Sequence, residues 1–253
     1  MTMLRVVLSG DFPQSRILSA ALLVIFIALA AAPFLFPGTQ SLNVAAKICY
    51  FVVLAASYDL LLGYTGIVSF AHTMFFGIGG YGAGLALYTW GPTWTSVLIG
   101  TLLGLGLAVV LALIIGLFSL RVRAIFFAMI TLAVASAFAI LASQLSWLTG
   151  GEDGRTFRVP EVLRPGYSLL EAGAFSINGR IITYYLIFLA ALVLFLGMLR
   201  VVNSPFGRVL QGIRENEFRA EALGYRTIVY RSIVNCLSAA MRSEEHTSEL
   251  QSR

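Results

Sequence analysis

The sequence predicts an all-α integral membrane protein, a polytopic helical bundle of about six complete spans plus a truncated seventh, with the N-terminus in the cytoplasm. Three observations predict it. Of the 253 residues 58% are hydrophobic and only 11% charged, with mean hydropathy +0.88, whereas a soluble domain carries about 25% charged residues. Apolar runs close to twenty residues recur, the length that crosses ~30 Å of hydrocarbon. The arginines collect in stretches between those runs, so a net charge of +5 and a pI near 9.5 describe orientation in a bilayer and exclude nucleic acid as the reason for the basic balance.

Residues 17–36 carry no charge and form the first span, closed by Pro37-Gly38. Arg5, Asp11 and Arg16 precede it, and the sequence predicts a first membrane helix here and no cleavable signal. Residues 42–62 form the second span, with Lys47 near its start and Asp59 near its end. Residues 63–69 (GYTGIVS) are uncharged but rich in turn formers, which predicts a tight turn or a re-entrant break covered by protein or a water-filled cavity. Residues 70–89 form the third span and 96–120 the fourth, joined by WGPTW with its interfacial Trp90 and Trp94. Arg121 and Arg123 mark a basic turn before the fifth span, 124–148. Residues 149–180 are a long polar loop, and 181–199 form the sixth span. Residues 200–231 are basic, and the apolar run from Ser232 stops after about ten residues.

Charge fixes the orientation. With the N-terminus inside, Arg5, Arg16, Arg121, Arg123, Arg200, Arg208, Arg214, Arg219, Arg226 and Arg231 are cytoplasmic. Lys47, Arg155, Arg158, Arg164 and Arg180 are external, four of them in the long loop 149–180, where the positive-inside rule is weaker.

Several residues carry more than one reading. Glycines 77, 79, 80, 82 and 84 crowd the third span; Gly80–Gly84, like Gly100–Gly104 in the fourth, has the spacing that lets helices approach closely in lipid. The same density suits the wall of a pathway. Asp59 reads first as a cap or an arginine partner and second as an ion relay. His72 is a buried, hydrogen-bonded histidine or a functional one. Ser136, Ser143 and Gln144 face a polar pathway or bond across helices. Cys49 and Cys236 lie in apolar stretches as packing residues. No nucleophile–base pair and no metal-ligand spacing occurs, and no GxxxxGK[ST] phosphate loop, so the sequence predicts no enzyme activity and no cofactor or ATP in this chain.

The most charged stretch is 204–224, SPFGRVLQGIRENEFRAEALG. Phe206, Val209, Leu210 and Ile213 recur at helical spacing after a Ser204 N-cap with Pro205 at the first helical position. Asn216 is placed to cap a second short helix ending at Gly224. The apolar ridge suits insertion into a groove on a soluble partner. Arg214, Arg219, Glu215, Glu217 and Glu221 edge it, with Glu215 and Arg219 at i,i+4.

"GRVLQGIRENEFRAEALG" resembles the cytoplasmic coupling segment of the membrane permeases of bacterial branched-chain amino-acid importers, the ATP-driven class that uses a periplasmic binding protein. "YDLLLGYTGIVSFAHTMFFGIGGYGAGLAL" (58–87) is similar to the glycine-rich early membrane region of that family, and "LTGGEDGR" (148–155) to its external loop. The resemblance implies a permease domain over 1–241 in the bacterial inner membrane. Its implied partners are cytoplasmic ATP-binding subunits, a second homologous permease subunit and a periplasmic solute-binding protein. Coupling to the ATPase would fall to Phe206, Gly207, Arg208, Ile213 and Arg214, with Glu215, Glu217, Ala222 and Gly224. Pathway candidates are Gly63, Gly66, His72, Gly77, Gly80 and Gly84. Urea permeases share much of the pattern, so a urea or other small-solute importer is the alternative; an ion-coupled secondary transporter would need midplane ionisable groups beyond Asp59. Residues 242–253, RSEEHTSELQSR, resemble translated sequencing-adapter read-through, and the family's permeases continue for several more helices, so the chain reads as truncated.

Overall fold

The computed structural model describes residues 16–35, 38–119, 124–151, 154–164, 168–172 and 175–249. Arg5, Asp11, Pro37, Arg121, Arg123 and the last four residues of the tail lie outside them. The helices are α1 (Arg16–Leu35), α2 (Thr39–Thr65), α3 (His72–Trp90), α4 (Trp94–Ser119), α5 (Ala124–Gln144), the single turn α6 (Ser146–Thr149), α7 (Gly179–Asn203), α8 (Pro205–Glu215), α9 (Glu217–Ala222) and α10 (Thr227–Glu249). The long polar loop contains an antiparallel hairpin, β1 (Ser168–Ala172) with β2 (Phe175–Asn178), a small addition to an otherwise helical chain.

Among the described residues four helices are long and apolar enough to cross a membrane: Thr39–Thr65, Trp94–Leu117, Phe126–Gln144 and Gly179–Asn203. The sequence predicts six. The apolar part of α1 within the described residues is Ala20–Leu35, shorter than a span. The 19 residues of α3 include His72 and the five glycines, which dilute its hydropathy. The helix that carries the last apolar run begins at Thr227, five residues ahead of Ser232, and its backbone stays helical through Glu249.

One polar detail fixes α1. Pro33 lies inside the helix and has no N–H to give the carbonyl four residues back. That carbonyl, of Leu29, accepts instead from the Tyr184 hydroxyl of α7 at 2.6 Å, and the next, of Ala30, from the Tyr185 hydroxyl at 3.0 Å. Leu29, Ala45, Cys49, Tyr184 and Ile187 close around the site as one apolar cluster of α1, α2 and α7.

A second body forms where α10 packs against α2, α3 and α4. Met74, Phe75 and Ile78 of α3 meet Ala108, Ala112 and Ile115 of α4 and Ala239 of α10. Buried Asn235 of α10 donates to the Ala112 carbonyl at 2.8 Å. A third cluster gathers Leu60 and Leu61 of α2, Phe127 of α5, Leu210 of α8 and Val234 of α10. The C-terminal ends of α2 and α7 and the N-terminal ends of α5 and α10 therefore share one end of the bundle with α8 and α9. At the other end the Arg180 guanidinium of α7 donates to the Thr39 hydroxyl of α2 at 2.7 Å.

Candidate functional site

The segment between α7 and α10 is built as its residue types require. Ser204 is extended, its hydroxyl accepts from the Gly207 N–H at 3.4 Å, and Pro205 opens α8. Asn216, at φ −158° and ψ 97°, stops α8 and starts α9, its side chain accepting from the Arg219 N–H at 2.9 Å. Gly224 follows α9 at φ 92°, a left-handed conformation that suits glycine.

The apolar stripe of α8 faces inward. Leu210 and Ile213 are 0% and 1% exposed, Phe206 stacks on Tyr230 of α10 with centroids 5.5 Å apart, and Leu210 joins the cluster of Leu60, Phe127 and Val234. The expectation that Phe206, Val209, Leu210 and Ile213 form a ridge for a partner's groove is thereby corrected for Phe206, Leu210 and Ile213, while half-buried Val209 lines the outward groove between α8 and α9. The helix-period pattern identified a buried face, and its own bundle, supplying α2, α5 and α10 at this end, buries it. Gly207 is where α8 touches the end of α7: an added Cβ would stand 2.0 Å from the Val202 carbonyl oxygen.

The charges divide in the same way. Arg214 is exposed but lies against the bundle, its Nη1 donating to the Gly63 carbonyl at the end of α2. Glu217 accepts from Arg231 of α10 at 2.6 Å, and Glu221 accepts from the Thr227 hydroxyl at 2.8 Å. The expected i,i+4 pair of Glu215 with Arg219 does not form among the described residues. Asn216 breaks the helix between them, so the i,i+4 geometry does not exist there. Exposed, with no side-chain bond to the bundle among the described residues, are Arg208, Glu215 and Ala222, with Arg219, Phe218 at 82% and Leu223 at 73% exposure beside them. A groove of about 540 Å³ runs between α8 and α9, lined by Arg208, Val209, Glu215, Asn216, Arg219 and Leu223 among others.

The six pathway candidates do not share one place. Gly63 and Gly66 belong to the segment end. Gly66 closes α2 at φ 70°, its N–H on the Leu62 carbonyl at 3.1 Å, so the GYTGIVS stretch is a helix end followed by irregular backbone over 66–69. Asp59 is exposed beside Gly63, and among the described residues no arginine pairs with it. His72 lies buried where α2, α3 and α10 meet: Nε2 is 3.2 Å from the Ser238 hydroxyl, which donates to the Ser57 carbonyl at 2.8 Å. The Tyr58 ring meets the imidazole edge-on at 5.1 Å.

Gly77, Gly80 and Gly84 do come together. They lie along one side of α3 and line a cavity of about 410 Å³ with Tyr81, Tyr88, Thr149, Arg155 and Phe157. The Arg155 guanidinium carbon stands 4.5 Å over the Tyr88 ring, and the same side chain donates to the Trp147 carbonyl. Tyr88 carries no signal in the sequence that marks it for this place, and Arg155 only its position in LTGGEDGR. Ser143 bonds its own helix, donating to the Ile140 carbonyl at 2.9 Å. Among the described residues no group of three or more His, Cys, Asp or Glu is placed to hold a metal ion.

The chain is thus a helical bundle with a charged two-helix segment at one end and a glycine-floored cavity at the other. The family described as "Branched-chain amino acid transport system / permease component" matches it over residues 40–241. The chain belongs to that family. It is similar to the high-affinity branched-chain amino acid transport system permease protein LivM of Escherichia coli K12, 24% identical over 236 residues, covering 86% of this chain and 53% of that protein. LivM of Salmonella typhimurium LT2 is also 24% identical, over 252 residues, covering 92% of this chain and 56% of the relative. The chain therefore spans about half the length of the curated relatives it matches. No solved structure matches it. Family membership and the apolar helices make this a multi-pass membrane protein.

Proposed function

We propose that this permease is the membrane subunit of an ATP-driven importer of branched-chain amino acids in the bacterial inner membrane. In this reading the α8–α9 segment is cytoplasmic and receives the motion of a separate ATP-binding subunit. A second permease subunit and a periplasmic solute-binding protein complete the assembly, and loop 149–180 faces the binding protein. The observation that carries the reading is the outward surface of α8–α9: Phe218 and Leu223 stand exposed beside a charged groove. Large apolar side chains ringed by charge mark an interaction site, and this one lies at the end of the bundle where α2, α7 and α10 meet the segment. The cavity over Gly77, Gly80 and Gly84 supports a solute route at the opposite end. Its apolar and aromatic walls suit an aliphatic side chain, and Arg155 has the fork that binds a carboxylate.

The test is reconstitution of the full-length permease with its partner subunits in proteoliposomes. Phe218→Asp and Leu223→Asp are expected to lower leucine uptake by about ten-fold or more and to release the ATP-binding subunit, because exposed apolar anchors dominate such contacts. Membrane insertion and thermal stability should be unchanged, since neither side chain is buried. Undiminished uptake in both variants would remove the segment from coupling, and uptake of urea in place of leucine would move the solute class.

A further inference from the structure

The coupling segment grips the bundle in two places, and both grips lead to one buried cluster. Arg214 holds the Gly63 carbonyl at the end of α2. Glu217 holds Arg231, and Glu221 holds Thr227, both in the first turns of α10. Six residues back along α2 from Gly63 is Ser57, and seven onward along α10 from Arg231 is Ser238. At 1.5 Å per residue both lie about 10 Å into the bundle, and there they meet. Ser238 has a single hydroxyl proton and donates it to the Ser57 carbonyl at 2.8 Å; its contact with His72 Nε2 at 3.2 Å is therefore one that it accepts, with the proton on Nε2. His72 is the first residue of α3, and five residues later α3 begins to line the glycine-floored cavity at Gly77.

We propose that the Ser57–Ser238–His72 cluster is where displacement of the α8–α9 segment is delivered to α3, through α2 gripped by Arg214 and α10 gripped by Glu217. The proposal rests on the coupling role given to this segment. The segment's charged and apolar side chains then have separate roles: Glu217 and Arg214 act inward as positioning residues, and Phe218 and Leu223 act outward. Three features make the linkage stiff. Leu210 and Ile213 are sealed against the bundle, so α8 does not slide over it. The Arg231 side chain is 17% exposed and its Nε has no hydrogen-bond partner, so the Glu217 carboxylate is the group that neutralises a largely covered charge. The Ser238 hydroxyl is shared between two helices, so α10 cannot shift along α2 without also shifting against α3. A physical warrant for such a route needs coupling between its members, and a charge swap supplies it.

In proteoliposomes holding the full-length permease with its partner subunits, leucine uptake and ATP hydrolysis are measured in the same vesicles. Glu217→Arg and Arg231→Glu are each expected to lower the amino acid carried per ATP by about ten-fold, and the double variant E217R/R231E to recover it to within about three-fold. Ser238→Ala is expected to lower the same ratio with ATP hydrolysis held within about two-fold, and Ser238→Thr, which keeps the hydroxyl, to retain more of it. A double swap no better than its single variants, with all three assembled normally, would overturn the inward role of Glu217. An unchanged ratio in Ser238→Ala would overturn the cluster. If the unmodified assembly transports without ATP, the coupling reading itself fails, an outcome visible before any variant is made.

Discussion

The two faces of α3 are made from the same residue and behave in opposite ways. Gly82 is pressed against α4: an added Cβ would stand 2.8 Å from the Gly100 carbonyl oxygen and 2.8 Å from the Gly104 Cα. Gly77, Gly80 and Gly84 face the cavity under Arg155. On one side glycine is needed so that two backbones can touch; on the other it lines a cavity, and an added Cβ at Gly77 would meet only the Phe138 ring, at an ordinary 3.6 Å. A glycine-rich helix at a helix pair is therefore two surfaces, and only the facing element decides which glycine belongs to which. The GxxxG pair of α4, Gly100 and Gly104, does pack helices, but its counterpart on α3 is Gly82 with Gly79, not the Gly80–Gly84 pair that shares its spacing.

The sharpest way to break this comparison is Gly82→Leu. The side chain has no rotamer that avoids α4 backbone, so the helix pair must part, at a cost of about 3 kcal/mol. The midpoint of thermal unfolding in detergent should fall accordingly, and the variant should be lost from the membrane fraction. A midpoint unchanged from the parent would mean that α3 and α4 are not in backbone contact. Gly207→Ala comes next. Its Cβ would meet the Val202 carbonyl oxygen at 2.0 Å, in backbone that cannot turn aside, so about 2 kcal/mol is expected. Here the loss is local: protease should cut sooner between α7 and α8 while the α3–α4 body keeps its resistance. Equal loss in both places would erase the distinction between a sealed joint and a sealed helix pair.

Much of this was legible in the sequence because it is local. Ser204, Pro205, Asn216 and Gly224 mark helix ends by chemistry that acts within four residues, and the structure places the ends there. Helix positions follow from apolar length for the same reason. Partners distant along the chain were not legible. The stripe of α8 announces that a face is buried without saying by what, so a surface for another protein and a seam within this one have the same pattern. Glu217 has several arginines within reach along the sequence, and the one it takes, Arg231, is chosen by where α10 begins. Tyr184 satisfying the carbonyl left by Pro33 joins residues 155 apart, and nothing in either neighbourhood announces it. The hairpin of 168–178 sits in a polar loop without the strong alternation or Asn-Gly turn that would have marked it.

The smallest effect is the most discriminating, because it reverses sign. Alanine at Gly82 adds a methyl where backbone already stands, and the midpoint should fall. Alanine at Gly84, two residues on and half a turn round, adds the same methyl toward an open cavity. There the gain in backbone order, up to about 1 kcal/mol, is expected to be set against a cavity wall instead of α4 backbone, so the unfolding midpoint should rise slightly or hold. Gly84→Leu should keep that stability while taking volume from the cavity, so leucine uptake by the reconstituted full-length permease should fall with the fold intact. If Gly84→Leu transports as the parent does, the cavity is a surface fold beside the route, and the glycines that line it answer to helix packing instead of transport. If alanine at Gly84 destabilises as much as at Gly82, the open face is closed by something that the bundle alone does not supply, and the two faces of α3 are one kind of surface after all.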